Sequence, residues 1–317
     1  MRFLIMSGSR DDHPFARLLD RLPFFVAAAL AVSACAYVLV LLLASVSDDF
    51  DYSVISEEER VASVKCVPEV DDSVLTIPAA VGPFWRSYKV VGIESHAFEN
   101  DESFARLELP DGLRSIGYGT FYGCRRLRSL SLPRSVEEIG DGAFYGCSSL
   151  SEVTLSPDMK SMGEYVFERC TGLRRVVVPE GVKVMPRSVF CACSSLSELD
   201  LPSSLVSIEP LAFKDCVSLV DVELPLGVRD VGGCSFEMCT SLRRVVIPPL
   251  VKGLGVTAFN GCSSLSEVVC LAVEPPPLGS SVFDGISPDA VLFVPAGSAD
   301  AYRLSPWAAY FSAVKEF

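Results

Sequence analysis

Residues 116–138 read IGYGTFYGCRRLRSLSLPRSVEE, and the pattern starts again at 139 as IGDGAFYGCSSLSEVTLSPDMKS. Phenylalanine marks the period: it stands at 98, 121, 144, 167, 190, 213, 236 and 259, always 23 residues apart. A period that strict is the signature of a solenoid, in which each copy is one coil stacked on the last. Aligned copies give further columns. Ile93, Ile116, Ile139, Met162, Met185, Ile208, Val231 and Leu254 open each unit with an apolar residue. Cysteine follows the Phe column by three residues at 124, 147, 170, 193, 216, 239 and 262. L-x-x-L-x-L then recurs, as in Leu127/Leu130/Leu132, and proline often closes it (Pro110, Pro133, Pro179, Pro202, Pro225, Pro248).

These columns predict the coil. L-x-L alternates with period two, as a strand with one buried face must. Proline supplies no donor for a further ladder bond, so the strand is short. Strands of successive coils are expected side by side about 4.8 Å apart. Gly140 to Ser149 is too short and too rich in Gly and Ser for a long helix, so one or two turns return the chain. Phe stacks on the Phe above and below it. The expected fold is therefore a repeat solenoid of short parallel strands, turns and at most short helices, with an N-terminal transmembrane helix added for the reasons below. It divides into eight repeats over 93–277, an N-terminal cap over 61–92 and a C-terminal cap over 278–317.

The unit with L-x-x-L-x-L-P, I-G, A-F and C-S-S-L resembles the BspA-like leucine-rich repeat family over about residues 75–295. The tail, EPPPLGSSVFDG and then AVLFVPAGSADAY with Trp307, is similar to the closing cap of bacterial members. That resemblance implies a shortened last coil around Phe283, one more strand, and a helix carrying Tyr302 and Trp307. It also implies an exported, often surface-displayed protein, some relatives being adhesins for host proteins, with no enzymatic activity and no fixed binding residues to transfer.

Leu22 to Val46 carries no charge, which is enough apolar chain to span a bilayer with some tilt. Arg17 and Arg21 precede it, and the first basic residue after it is Arg60, so the N-terminus (1–21) is expected in the cytoplasm and the repeats across the membrane. An uncleaved signal anchor over 22–47 is the preferred reading, because the run exceeds a secretory h-region. A cleaved signal peptide ending at Ser45-x-Ser47, or lipidation at Cys35 within Val32-Ser33-Ala34-Cys35, remain as alternatives. All three export the body. Residues 48–60 are acidic and lack periodicity, which predicts a solvated stalk.

The chain of 317 residues has 27 basic and 40 acidic side chains. Residues 1–47 hold four of the former and three of the latter, leaving 23 against 37, or −14, for the body. An acidic body with no basic stripe disfavours nucleic acid. Cysteines 23 apart do not suit zinc, which takes close ligand pairs. They are expected as buried, small apolar residues with free thiols. Cys191, two residues before Cys193, shares a column with Glu99, Tyr122, Tyr145 and Glu168 and is expected to be exposed. His96, the only histidine of the body, has no partner for a triad or metal site and reads as a surface or capping residue. No nucleophile motif or phosphate-binding glycine loop stands out. Neither enzyme activity nor a cofactor or metal is expected.

Two columns should face solvent on the strands, where this class usually binds partners. The first is Arg106, Ser129, Glu152, Arg175, Glu198, Asp221, Arg244, Glu267; the second is Glu108, Ser131, Thr154, Val177, Asp200, Glu223, Val246, Val269. Signs alternate through Glu152–Arg175–Glu198 and Asp221–Arg244–Glu267, which suits an ion ladder that keeps coils in register. The face lacks aromatic residues, although interface hot spots favour them. The charged members of the first column, Arg106, Glu152, Arg175, Glu198, Asp221, Arg244 and Glu267, are the candidate partner-binding residues. The expected function is extracytoplasmic binding of a protein ligand, in adhesion or partner recognition. The alternative is a structural spacer of the envelope without a specific ligand.

Overall fold

The structure, a computed structural model, describes residues 50–66, 73–83 and 86–317. Each repeat contributes two short strands and a hydrogen-bonded turn. The first strand is three residues, or four in the last two repeats, around the central apolar position of L-x-x-L-x-L. In Ser129–Ser131, Leu130 is buried between two exposed neighbours, because the pleat sends alternate side chains to opposite faces. Val74–Thr76, Arg106–Glu108, Ser129–Ser131, Glu152–Thr154, Arg175–Val177 and Glu198–Asp200 form one parallel ladder. Asp221–Glu223, Arg244–Ile247, Glu267–Cys270, Val291–Val294 and Ala313–Glu316 form another. No ladder pairing joins the two blocks. At that junction Glu198 and Asp200 share columns with Asp221 and Glu223, and like charges on neighbouring strands oppose close pairing.

The second strand of each coil ends at the apolar opener. Tyr88–Ile93, Ser115–Ile116, Glu138–Ile139 and Ser161–Met162 pair in parallel. Val184–Met185, Ser207–Ile208 and Asp230–Val231 make a separate ladder, extended by bridges to Leu254 and Leu278. Between the strands lies the turn, and it bends through two left-handed residues per coil. His96, Gly119, Gly142, Tyr165, Ser188, Leu211, Cys234 and Thr257 have φ of 52–66°. Asn100, Gly123, Gly146, Arg169, Ala192, Asp215, Met238 and Gly261 have φ of 58–73°. Glycine adopts that conformation without strain; the larger residues there are tolerated because the surrounding turns fix the backbone.

The core is a stack of columns. Every neighbouring Phe pair from Phe98 to Phe283 lies with ring centroids 5.1–5.8 Å apart and planes within 13°. Stacked rings at this separation add about 0.5–1.5 kcal/mol per pair beyond area burial. The cysteine column does more than fill space. Each Sγ–H donates to the carbonyl of the Phe one coil back, as in Cys124 to Phe98 and Cys193 to Phe167, both 3.1 Å.

Several expectations change at the ends. The stalk expected over 48–60 contains a strand instead: Asp51–Ser56 pairs antiparallel with Val61–Cys66, which pairs parallel with Tyr88–Ile93. The acidic run hid the alternation of DYSVIS, whose Tyr52 packs on the core beside Tyr88. Glu57 is held in the turn by Arg86 at 2.9 Å and by the Tyr88 hydroxyl at 2.8 Å. At the other end the coil around Phe283 is lengthened by one residue, not shortened, since Phe283 follows Phe259 by 24. Tyr302 and Trp307 lie on two short helices, Ala299–Arg303 and a 3₁₀ turn Pro306–Ala309, because Pro306 cannot continue the first. The strand Ala313–Glu316 then closes the ladder. Trp307 is fully buried 5.4 Å from Phe283 and donates its indole N–H to the Pro276 carbonyl, capping the Phe stack. The membrane segment expected over 22–47 lies outside the described residues. Among the described ones no helix is long and apolar enough to cross a membrane.

Candidate partner-binding face and an adjoining cleft

The strand face presents the candidate residues in register. Arg106 stands beside Ser129, Ser129 beside Glu152, Glu152 beside Arg175 and Arg175 beside Glu198. In the second block Asp221 stands beside Arg244 and Arg244 beside Glu267. Five charged residues of this column, Arg106, Glu152, Arg175, Glu198 and Asp221, are exposed, while Arg244 and Glu267 are half-buried. The expected alternating ladder forms only in part. Arg175 reaches Glu198 at 3.5 Å and Asp200 at 3.0 Å, and Arg244 reaches Glu267 at 2.7 Å. Its hydrogen bond to Asp200, then the charges of Asp200 and Glu198, hold the Arg175 guanidinium above its ordinary pKa. Among the described residues Arg106, Glu152, Asp221 and Glu223 make no ion pair. Arg175 and Arg244 turn toward the carboxylates of the following strand and leave Glu152 and Asp221 of the preceding one to solvent.

The second column departs from expectation at its C-terminal end. Val246 is buried and Val269 half-buried, not solvent-facing. Val246, Val269 and Phe293 lie in register, and three apolar neighbours cover one another.

Beside this face the structure holds a feature that the strand columns did not predict. A cleft of about 710 Å³ opens where the second ladder is interrupted, between residues 157–164 and 180–187. Met159 and Val182, each 2% exposed, and Met162 form its apolar floor. Lys183, Val184 and Arg187 stand on its rim. The signal was present in the aligned repeats. The position after the apolar opener is glycine at 117, 140, 163, 232 and 255, but proline at 186.

The remaining candidates are inert. The seven column cysteines, with Cys191, Cys234 and Cys270, are free thiols. Cys191 is half-buried, not exposed as expected, and burial, then the charges of Glu168 and Asp215, pushes its thiol up to about 12. That is the reverse of an activated nucleophile. His96 is exposed at the first left-handed position, its Nδ1 2.8 Å from Glu99 Oε2. No group of three or more metal-ligating side chains converges among the described residues.

A stack of parallel strand coils tied by Phe, Cys and Leu columns defines a leucine-rich-repeat solenoid. The BspA type leucine rich repeat region matches this chain over residues 91–219 and 183–286, in six copies, and the chain belongs to that family. Repeat domains of this class generally serve as protein-interaction modules. Among solved structures, a leucine-rich repeat protein of Bacteroides ovatus is 25% identical, over 86% of this chain and 76% of its own, with a TM-score of 0.62. A leucine rich cell surface protein of Faecalibacterium prausnitzii shares the fold at 19% identity, over 85% of this chain and 93% of its own, with a TM-score of 0.51. No curated protein matches the chain.

Proposed function

We propose that this protein is a non-enzymatic binding module that recognises a protein partner outside the cytoplasm, in adhesion or partner recognition. Residues 1–47 serve in this reading as anchor or export signal, placing the repeats at the cell surface or envelope. The observation that supports it is the unsatisfied charge pattern of the strand face. Glu152, Asp221 and Glu223 project from ordered strands and make no ion pair among the described residues, while the inward columns repeat almost unchanged. Carboxylates held so on a rigid surface favour a partner carrying arginine or lysine, and such complementarity steers encounter and sets specificity.

Binding of the biotinylated full-length chain to intact cells and to extracellular matrix proteins tests the reading. A saturable partner whose binding weakens with salt and with Asp221→Lys supports it. Absence of saturable binding leaves the spacer role as the better account. Protease accessibility of the repeats on intact cells, with N-terminal sequencing of the mature chain, tests the placement.

A further inference from the structure

We propose that the cleft beside Pro186 is a docking site for an extended peptide segment of the partner, which pairs its main chain with the interrupted ladder and seats one apolar side chain on the methionine floor. This inference rests on the reading of the chain as a protein-binding module.

The main chain carries the argument. At the other coil junctions the residue after the apolar opener donates its N–H to the preceding coil: Gly117 to Ile93, Gly140 to Ile116, Gly163 to Ile139, Glu209 to Met185, Gly232 to Ile208 and Gly255 to Val231, all 2.8–2.9 Å. Proline has no N–H, so Pro186 leaves the Met162 carbonyl without that donor. The loss spreads one step along the strand. Lys160 donates to Glu137 at 2.9 Å and Val206 to Lys183 at 2.8 Å, but Lys183 makes no such bond to Lys160. One wall of the cleft thus offers the carbonyls of Lys160 and Met162, and the other the N–H groups of Lys183 and Val184, none with a protein partner among the described residues.

A chain that supplies donors to one wall and acceptors to the other is an extended peptide backbone, which gains affinity from the main chain and selectivity from alternate side chains. The space of about 710 Å³ lies within the usual range for ligand sites, enough for a few residues. Its floor suits one apolar anchor, since methionine adapts to the shape of what it meets. The charges around it are partly spent: Lys160 pairs with Glu137, and Glu180 accepts from Ser203 and Ser204. Apolar and main-chain contacts, more than rim charge, therefore select the occupant.

Selection of a displayed library of random seven-residue peptides on the full-length chain tests this. Enriched peptides are expected to carry an apolar residue at a fixed position. Their binding should fall about tenfold or more in Pro186→Gly, which restores the donor and closes the cleft, and in Ser161→Trp, which fills it from an exposed position. N-methylation of the peptide next to the anchor should cost as much, and bound peptide should slow amide exchange at Lys183 and Val184. Lys252→Glu, at an exposed position outside both the cleft and the strand-face columns, should leave this binding within about twofold. Enrichment of no peptide, or equal binding to wild type, Pro186→Gly and Ser161→Trp, overturns the site. Peptides or partners that depend on Arg175 or Asp221 but ignore Pro186 would overturn it while leaving the strand-face function standing.

Discussion

Mild alkali should unfold this solenoid through its cysteine column, at a pH where most exposed side chains have yet to titrate. Seven thiols are buried in the turn side, each donating to a Phe carbonyl one coil back at 3.1–3.3 Å. Burial pushes Cys124 and Cys262 up to about 12 and holds Cys147, Cys193, Cys216 and Cys239 well above the ordinary thiol value. Burial raises Cys170 as well. In the unfolded chain a thiol ionises at about 8.5.

The sign follows from which state releases the proton. A folded-state pKa raised above the unfolded one stabilises fully below the unfolded pKa and loses that contribution as pH rises toward the folded one. Between about pH 8.5 and pH 12, each thiol ionises only in the unfolded chain. It then removes up to about 1.4 kcal/mol of stability per pH unit, and seven remove on the order of 10 kcal/mol per unit. Net stabilities of folded domains are about 5–15 kcal/mol, so one to two units above pH 8.5 should suffice. Urea unfolding under reducing conditions from about pH 7.5 to pH 10 reads the effect, because the slope of stability against pH counts the protons released. Thiolate absorbance should appear with unfolding and not before it. Cys147→Ala, Cys193→Ala and Cys216→Ala should each lower the slope by about one proton once their own destabilisation is subtracted. A slope below two protons, or one unchanged by these replacements, would show that the thiols ionise inside the fold and refute the argument.

Other changes read other parts of the stack. Phe190→Ala, which removes a ring between Phe167 at 5.5 Å and Phe213 at 5.8 Å, should cost about 3–5 kcal/mol in urea unfolding. Gly140→Ala should cost about 1–3 kcal/mol, since its Cβ would lie 2.6 Å from the Tyr118 nitrogen, a backbone atom of the preceding coil. Leu211→Gly should move the midpoint the other way, by up to about 1 kcal/mol, because a half-buried leucine sits at φ 66°. Arg175→Glu should leave thermal unfolding nearly unmoved and weaken partner binding only modestly; complete loss of binding by the folded variant would mean that Arg175 reads the ligand itself. Thiol titration of the denatured, unreduced chain should find at least the seven column cysteines free, and a lower count would place disulfides in that column.

The coil was legible because packing repeats its demands. Phe, Cys, Leu and the apolar opener recur every 23 residues, and they lie in the core where that period predicts, apart from partly buried members such as Leu199 and Leu201. The thiol–carbonyl bonds were not legible, since they depend on where the preceding coil's Phe carbonyl points. The strand Asp51–Ser56 was obscured by composition: three consecutive glutamates form a turn, yet their charge coloured the reading of the strand before them. Val246 was misplaced because a column average cannot show that Val269 and Phe293 flank it. Pro186 lay in view in the aligned column, but its consequence needs the hydrogen-bond direction at that junction.

Both interruptions of the strand ladders fall in the middle coils, and the turn side explains why the fold survives them. Across the junction at Pro186, Phe167 stacks on Phe190 at 5.5 Å and Cys193 donates to the Phe167 carbonyl at 3.1 Å. Across the junction of Glu198 with Asp221, Phe190 stacks on Phe213 at 5.8 Å and Cys216 donates to the Phe190 carbonyl at 3.2 Å. Nearest-neighbour contacts set the stability of a repeat array, so a junction held by these columns can lose ladder bonds without parting. The strand side is thereby free to carry a proline where glycine recurs and carboxylates where opposite charges would pair. A surface released from the packing constraint is where a repeat protein can vary what it recognises. The two interruptions, one main-chain and apolar in chemistry and the other acidic, offer different handles to a partner lying across the middle coils.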